Sequence, residues 1–232
     1  MSPVRSWLQR SLWEVVPRDH RETPAALRRR QLVTAGFVLV GAVVLGLSLR
    51  IEPGNAWFYP ATFGLAGVWA LGAFCSGPLH LGRIARRDEL VRPWATPIAL
   101  GAGLAGLFVV GGLAVRELPW LSGQVSSVLD FADQGSVPLL VVITAANGVA
   151  EELFFRGAVY AAIPRHPVAW TTLAYGVATL ATGNLMLSFA ALLLGVVVGL
   201  ERRASGGILG PILTHCTWSL SMLLVLPLVF GA

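Results

Sequence analysis

The chain has 232 residues, 55% hydrophobic and only 12% charged, with a mean hydropathy of +0.71 and a formal net charge of +5. Soluble domains carry about a quarter charged residues, and their helices need a polar face, so disorder, nucleic-acid binding and an ordinary cytosolic enzyme are excluded. What remains is an integral membrane protein, expected to be an all-α polytopic helical bundle of about seven transmembrane helices. All seventeen basic residues are arginine, which removes lysine nucleophiles and Schiff-base chemistry. Cys75 and Cys216 make neither a disulfide framework nor a zinc pattern.

Residues 1–31 form a basic segment with seven arginines and no long apolar run. Val4, Trp7, Leu8, Leu12, Val15 and Val16 fall on one helical face, which reads as an interfacial helix ending at Pro17 or as a solvated arm. Residues 32–136 supply spans at 32–49, 57–75 and 98–115, then a mixed stretch, 118–135, that reads as a loop or surface helix. In residues 137–230 the apolar runs are 137–163, 170–181, 185–200 and 208–230. The run 170–181 is too short to cross a bilayer without local thinning, and Thr182-Gly183-Asn184 after it is a tight-turn signal.

Seven spans place fourteen arginines in the segments 1–31, 76–97, 164–169 and 201–207, against Arg50 and Arg116 in the alternate loops. By the positive-inside rule the N-terminus is cytoplasmic and the C-terminus lies across the membrane, with anionic lipid headgroups facing the arginines. His20, His80 and His166 fall in the arginine-rich segments and read as surface residues, His80 being a remote candidate for a site at the membrane face.

Ionisable residues inside a span cost roughly 2.5–3.5 kcal/mol each on insertion scales, yet the fourth run contains Glu151, Glu152 and Arg156. Glu152 and Arg156 are spaced to pair along one helix face. Glu151 points about 100° away, with Asn147 one turn earlier as a hydrogen-bond candidate. A buried carboxylate without a cationic partner can act as a base near neutral pH; alternatively, Glu151 caps a shorter span. Counting along the helices puts Glu151 about 9 Å and His215 about 10 Å from the inner boundary. The two can therefore meet, although an intramembrane histidine also serves as an interhelical hydrogen-bonding residue. Tyr175 and Thr179 lie one turn apart on the fifth run, where a threonine commonly bonds its own backbone. Ser219 follows His215 by one turn.

Glu151-Glu152-x-x-x-Arg156-Gly157, then Tyr175-x-x-x-Thr179 and His215-x-x-x-Ser219, resemble the three motifs of the CAAX-protease and bacteriocin-processing (CPBP, or Abi) family. That family consists of helical intramembrane endopeptidases and includes the type II CAAX prenyl proteases. The resemblance covers 137–230, a catalytic-type core. It implies that Glu151 activates water, that Glu152 and Arg156 organise the site, and that His215 steadies the oxyanion with a weaker contribution from Ser219. Two positions depart: Thr179 stands where the family has histidine, and Ser219 where it has asparagine or aspartate. The expected function is cleavage of a membrane-associated peptide or protein substrate near the cytoplasmic face of a bacterial membrane. The alternative is an inactive pseudoprotease that holds a membrane protein partner. The family is described both as metal-dependent and as glutamate-type, which leaves a divalent metal such as zinc open as cofactor.

Overall fold

The computed structural model describes residues 2–48, 50–52, 54–86, 89–133 and 136–231. Leu49, the expected end of the first span, and Arg87, one of the orienting arginines, lie outside these residues.

In chain order the elements are α1 (Pro3–Leu8), running into a wide π turn over Gln9–Trp13, then α2 (Pro24–Ser48) and α3 (Phe58–Ser76). A small hairpin of β1 (Ile84–Arg86) and β2 (Glu89–Val91) follows, antiparallel, with Ala85 opposite Leu90. Next come α4 (Ala95–Val115), α5 (Pro119–Asp133), α6 (Val137–Glu151), a second π segment (Glu152–Val159) and α7 (Tyr160–Ala162). The bundle closes with α8 (Pro167–Leu180), α9 (Leu185–Ser205) and α10 (Leu209–Phe230).

Among the described residues six helices are long and apolar enough to cross a membrane: α2, α3, α4, the continuous run Val137–Ala162, α9 and α10. Leu39, Leu107, Val110 and Leu228 are exposed on the outside, whereas Glu152 and Arg156 are wholly buried. Apolar outside and charged inside is the arrangement a hydrocarbon solvent selects. The seventh expected span, α8, has 14 residues, about 21 Å of helix. It nevertheless runs the same course as residues 31–46 of α2. Ahead of its start the Gln31 amide donates to the carbonyl of Ala162, the last residue of α7, at 3.0 Å, and at its end Ala181 lies against Gly46.

Three boundaries differ from the sequence expectation. α2 starts at Pro24, not residue 32, because the Thr23 hydroxyl caps the amide of Ala26 and proline suits the first helical position. The Arg30 charge is satisfied there by Glu22, Ser76 and the Pro78 carbonyl. Helical structure in the N-terminal arm stops at Trp13 rather than Pro17, and the arm is not simply solvated: Ser11, Leu12 and Val16 are buried. The Val16 amide donates to the Ala204 carbonyl at 3.1 Å, so the arm docks on the end of α9. Finally, α9 continues to Ser205, which turns most of the expected loop 201–207 into a further turn of helix and buries Arg202.

The core lies around the π segment. Trp69 of α3 stacks on Phe154 at 4.8 Å between ring centres, Phe155 lies 5.1 Å from Trp69, and Tyr175 of α8 lies 4.9 Å from Phe155. Gly41 of α2 permits this packing, because a Cβ there would sit 2.0 Å from the Trp69 ring. At the end away from the arginine-rich segments, the Asn184 side chain caps α9 through the Leu187 amide and donates to the Gln124 carbonyl of α5 at 2.6 Å. At the arginine-rich end, the strand-like segment 80–83 lies along 205–209, with Ile208 N to His80 O at 2.9 Å and Arg83 N to Ser205 O at 2.9 Å.

Candidate active site

The acidic pair sits where α6 widens into a π segment. A π turn re-spaces side chains around the helix, and such segments are frequent at functional sites. Glu152 Oε1 accepts from Arg156 Nη1 at 3.1 Å, the pairing the sequence spacing indicates, and neither side chain has any solvent exposure. The same oxygen accepts from His215 Nδ1 at 2.8 Å. Gly148, one turn before Glu152 on α6, faces Cys216 and the His215 ring of α10, where a Cβ would lie 3.3 Å from the Cys216 sulfur and 3.5 Å from the ring. The match of depths inferred from the sequence is realised: His215 Nε2 lies 4.0 Å from Glu151 Oε2.

Glu151 differs from Glu152 in two respects. Its side chain keeps 16% of its surface accessible, and its oxygen Oε2 accepts a hydrogen bond of 2.5 Å from the Tyr175 hydroxyl. Tyr175 in turn lies under the Arg156 guanidinium, 4.8 Å from ring centre to charge. The five side chains Glu151, Glu152, Arg156, Tyr175 and His215 thus form one connected polar cluster walled by aromatic rings.

Other expected members stay outside it. The Asn147 amide does not reach Glu151; it donates to the carbonyls of Thr62 at 3.3 Å and Ile143 at 3.0 Å, because α3 passes on that side. The Thr179 hydroxyl donates to the Tyr175 carbonyl at 2.9 Å, the local backbone bond expected of an intramembrane threonine. Ser219 does the same with the Cys216 carbonyl at 3.4 Å. Neither hydroxyl contributes to the acidic pair.

Sequence reasoning missed two buried groups. Arg202 is 4% exposed, donates through Nε to the Arg156 carbonyl at 2.7 Å, and lies 4.8 Å from the Tyr160 ring centre. Glu201 is also buried, its carboxylate against Gly210, with Oε2 unpaired among the described residues. The signal was available: Glu201-Arg202-Arg203 follows an apolar run with no helix breaker before Gly206.

Hydrogen bonding fixes the imidazole. A carboxylate only accepts, so the contact with Glu152 puts a proton on Nδ1 and leaves Nε2 directed towards Glu151. A water about 2.8 Å from both Glu151 Oε2 and His215 Nε2 fits across the 4.0 Å gap. A catalytic zinc needs three protein ligands and an open position. Here Glu151 and His215 offer two, Thr179 is turned to its own backbone, and Glu152 Oε1 is shared by Arg156 and His215. Among the described residues no group of three or more His, Cys, Asp or Glu side chains is placed to hold a metal. The donor set does not fit a zinc centre.

No curated protein and no solved structure matches the chain at a significant level. Residues 133–221, the stretch that holds all five clustered side chains, match the model of the Rce1-like family, described as type II CAAX prenyl endopeptidase Rce1-like.

Proposed function

We propose that the chain is an intramembrane endopeptidase in which Glu151 activates water against a peptide bond of a membrane-associated substrate. The observation that carries this reading is the facing pair Glu151 Oε2 and His215 Nε2, 4.0 Å apart, with the Tyr175 hydroxyl bonded to Glu151 and the Glu152 carboxylate bonded to His215. Glu151 takes a proton from the water as its oxygen attacks the carbonyl carbon. His215, held by the Glu152 carboxylate through Nδ1, hydrogen-bonds the oxyanion through Nε2–H. Collapse of the tetrahedral intermediate breaks the C–N bond, and the proton on Glu151 passes to the leaving nitrogen. Tyr175 orients the Glu151 carboxylate; Arg156 balances Glu152. The match to the Rce1-like family supports a CAAX-type protease at this level.

The second reading, a pseudoprotease that binds a partner helix, is favoured by one observation: the hydroxyls of Thr179 and Ser219 bond their own helices. One experiment separates the two. Purified protein in liposomes is given lipidated and transmembrane peptides, as wild type, as Glu151→Gln and with added chelator. The protease reading expects cleavage that falls by at least about 10³-fold in Glu151→Gln, with folded yield unchanged and no effect of the chelator. Capture of peptides without cleavage by both forms selects the pseudoprotease.

A further inference from the structure

A second concentration of charge lies outside the acidic cluster, where the N-terminal arm crosses the end of α9. Two adjoining cavities of about 480 and 280 Å³ share Arg18, His20 and His80 in their linings. Arg202 lines the smaller one, and Arg83 and Arg92 the larger. The His20 and His80 rings stack face to face, 3.7 Å apart at 8°. Gly206, at φ 71°, clears the space for them: a Cβ there would lie 2.8 Å from Arg18 and 3.5 Å from His20.

The acids nearby are already committed. Glu22 is held by Arg30 through both carboxylate oxygens. Asp19 is largely exposed and pairs with Arg21 at 3.5 Å. Among the described residues Arg202 has no carboxylate partner, although it is 96% buried; its bonds are to a carbonyl and a ring face. A buried guanidinium without a counter-charge is costly. Burial and the neighbouring arginines push both histidines down, with His80 adding to the effect on His20, which falls to about 4. The smaller cavity is also amphiphilic, since Leu27, Pro78, Ala161 and Pro164 line it beside the basic groups.

We propose that these joined cavities are a binding site for a phosphate group, borne by an anionic phospholipid or by a soluble phosphate, with buried Arg202 as its counter-charge and Arg18, His20 and His80 around it. Guanidinium and imidazole donors suit phosphate oxygens, and the apolar lining accommodates a glycerol and the first acyl carbons. The site is fastened to the catalytic helix, because the arginine that completes it donates to the Arg156 carbonyl.

The full chain in a zwitterionic detergent is followed by thermal unfolding while inorganic phosphate is added in one arm and phosphatidylglycerol in the other, with chloride and phosphatidylcholine as controls. The midpoint is expected to rise with the phosphate-bearing anion, and the apparent affinity to fall about tenfold or more in Arg18→Gln and in His80→Gln. A response to both ligands assigns the site to the phosphate group alone; a response only to phosphatidylglycerol assigns it to the lipid. Either supports the proposal. No response to either ligand, or an equal response in wild type and both variants, overturns it. Arg202→Gln also loses the bond to Arg156, so the two peripheral variants carry the test if it fails to fold.

Discussion

Glu152 Oε1 accepts from both a guanidinium and an imidazole inside the bundle, whereas Glu151 accepts only from a phenol and keeps part of its surface open. Adjacent residues of the same chemistry therefore behave differently. Glu152→Gln leaves Arg156 buried without a counter-charge and is expected to cost about 3–5 kcal/mol of stability, read as a lowered unfolding midpoint in detergent; Glu151→Gln leaves that midpoint near wild type. Tyr175→Phe removes the hydrogen bond to Glu151 but keeps the ring under Arg156. Its expected result is a roughly tenfold or greater fall in kcat with stability preserved, measured on the same peptide substrates. The charge pairing of Glu152 with Arg156 was legible because i and i+4 meet on any helix. The partner of Glu151 was not, since Tyr175 is 24 residues away on a helix whose rotation only packing fixes.

At the scale of elements, the N-terminal arm is held by a few specific contacts: the Val16 amide on Ala204, Arg18 on the Arg203 carbonyl at 2.7 Å, and the histidine stack. His20 faces His80, Arg202 and Arg18, with Asp19 opposing them, and is lowered from 6.5 to about 4. His80 is lowered by burial, Arg202 and Arg30, with Glu22 opposing. A histidine lowered in the folded state takes up its proton later than the free chain does. Docking is therefore complete above about pH 6.5 and weakens as pH falls towards 4. Hydrogen-exchange protection factors of residues 10–20 in phosphate-free buffer should fall as the pH drops over that range, and His20→Gln should diminish the change. The arm's apolar face was readable from its periodicity; its docking surface was not, because it is built by the last turns of α9, which read as a loop.

For the whole molecule, the ends of the helices gather into two faces. The arm, the segment 77–94, the turn at 163–166 and the end of α9 share one, and α5 with the α8–α9 turn occupies the other. From the arginine distribution we propose that the first face is the cytoplasmic one. Arg21 and Arg116 have exposed side chains at opposite faces. In a chain carrying Cys75→Ser and Cys216→Ser, Arg116→Cys should react with a membrane-impermeant thiol reagent in intact cells, and Arg21→Cys only after permeabilisation. The reverse pattern would invert the topology.

The sequence by itself determined that the chain is a membrane bundle, where most of its spans lie, that Glu152 and Arg156 can pair along one helix face, and that Glu151 and His215 can meet at one depth. Hydropathy, helical rise and charge in hydrocarbon act locally along the chain and are large enough to be read without a fold. Tertiary structure alone decided which neighbours those groups take. It gave Glu151 to Tyr175 rather than Asn147, turned Thr179 and Ser219 to their own backbones, and buried Arg202 beneath the arm. These choices depend on which helix faces which, set by the close approach at Gly41 and by the aromatic core, and no periodicity in one segment encodes the rotation of another.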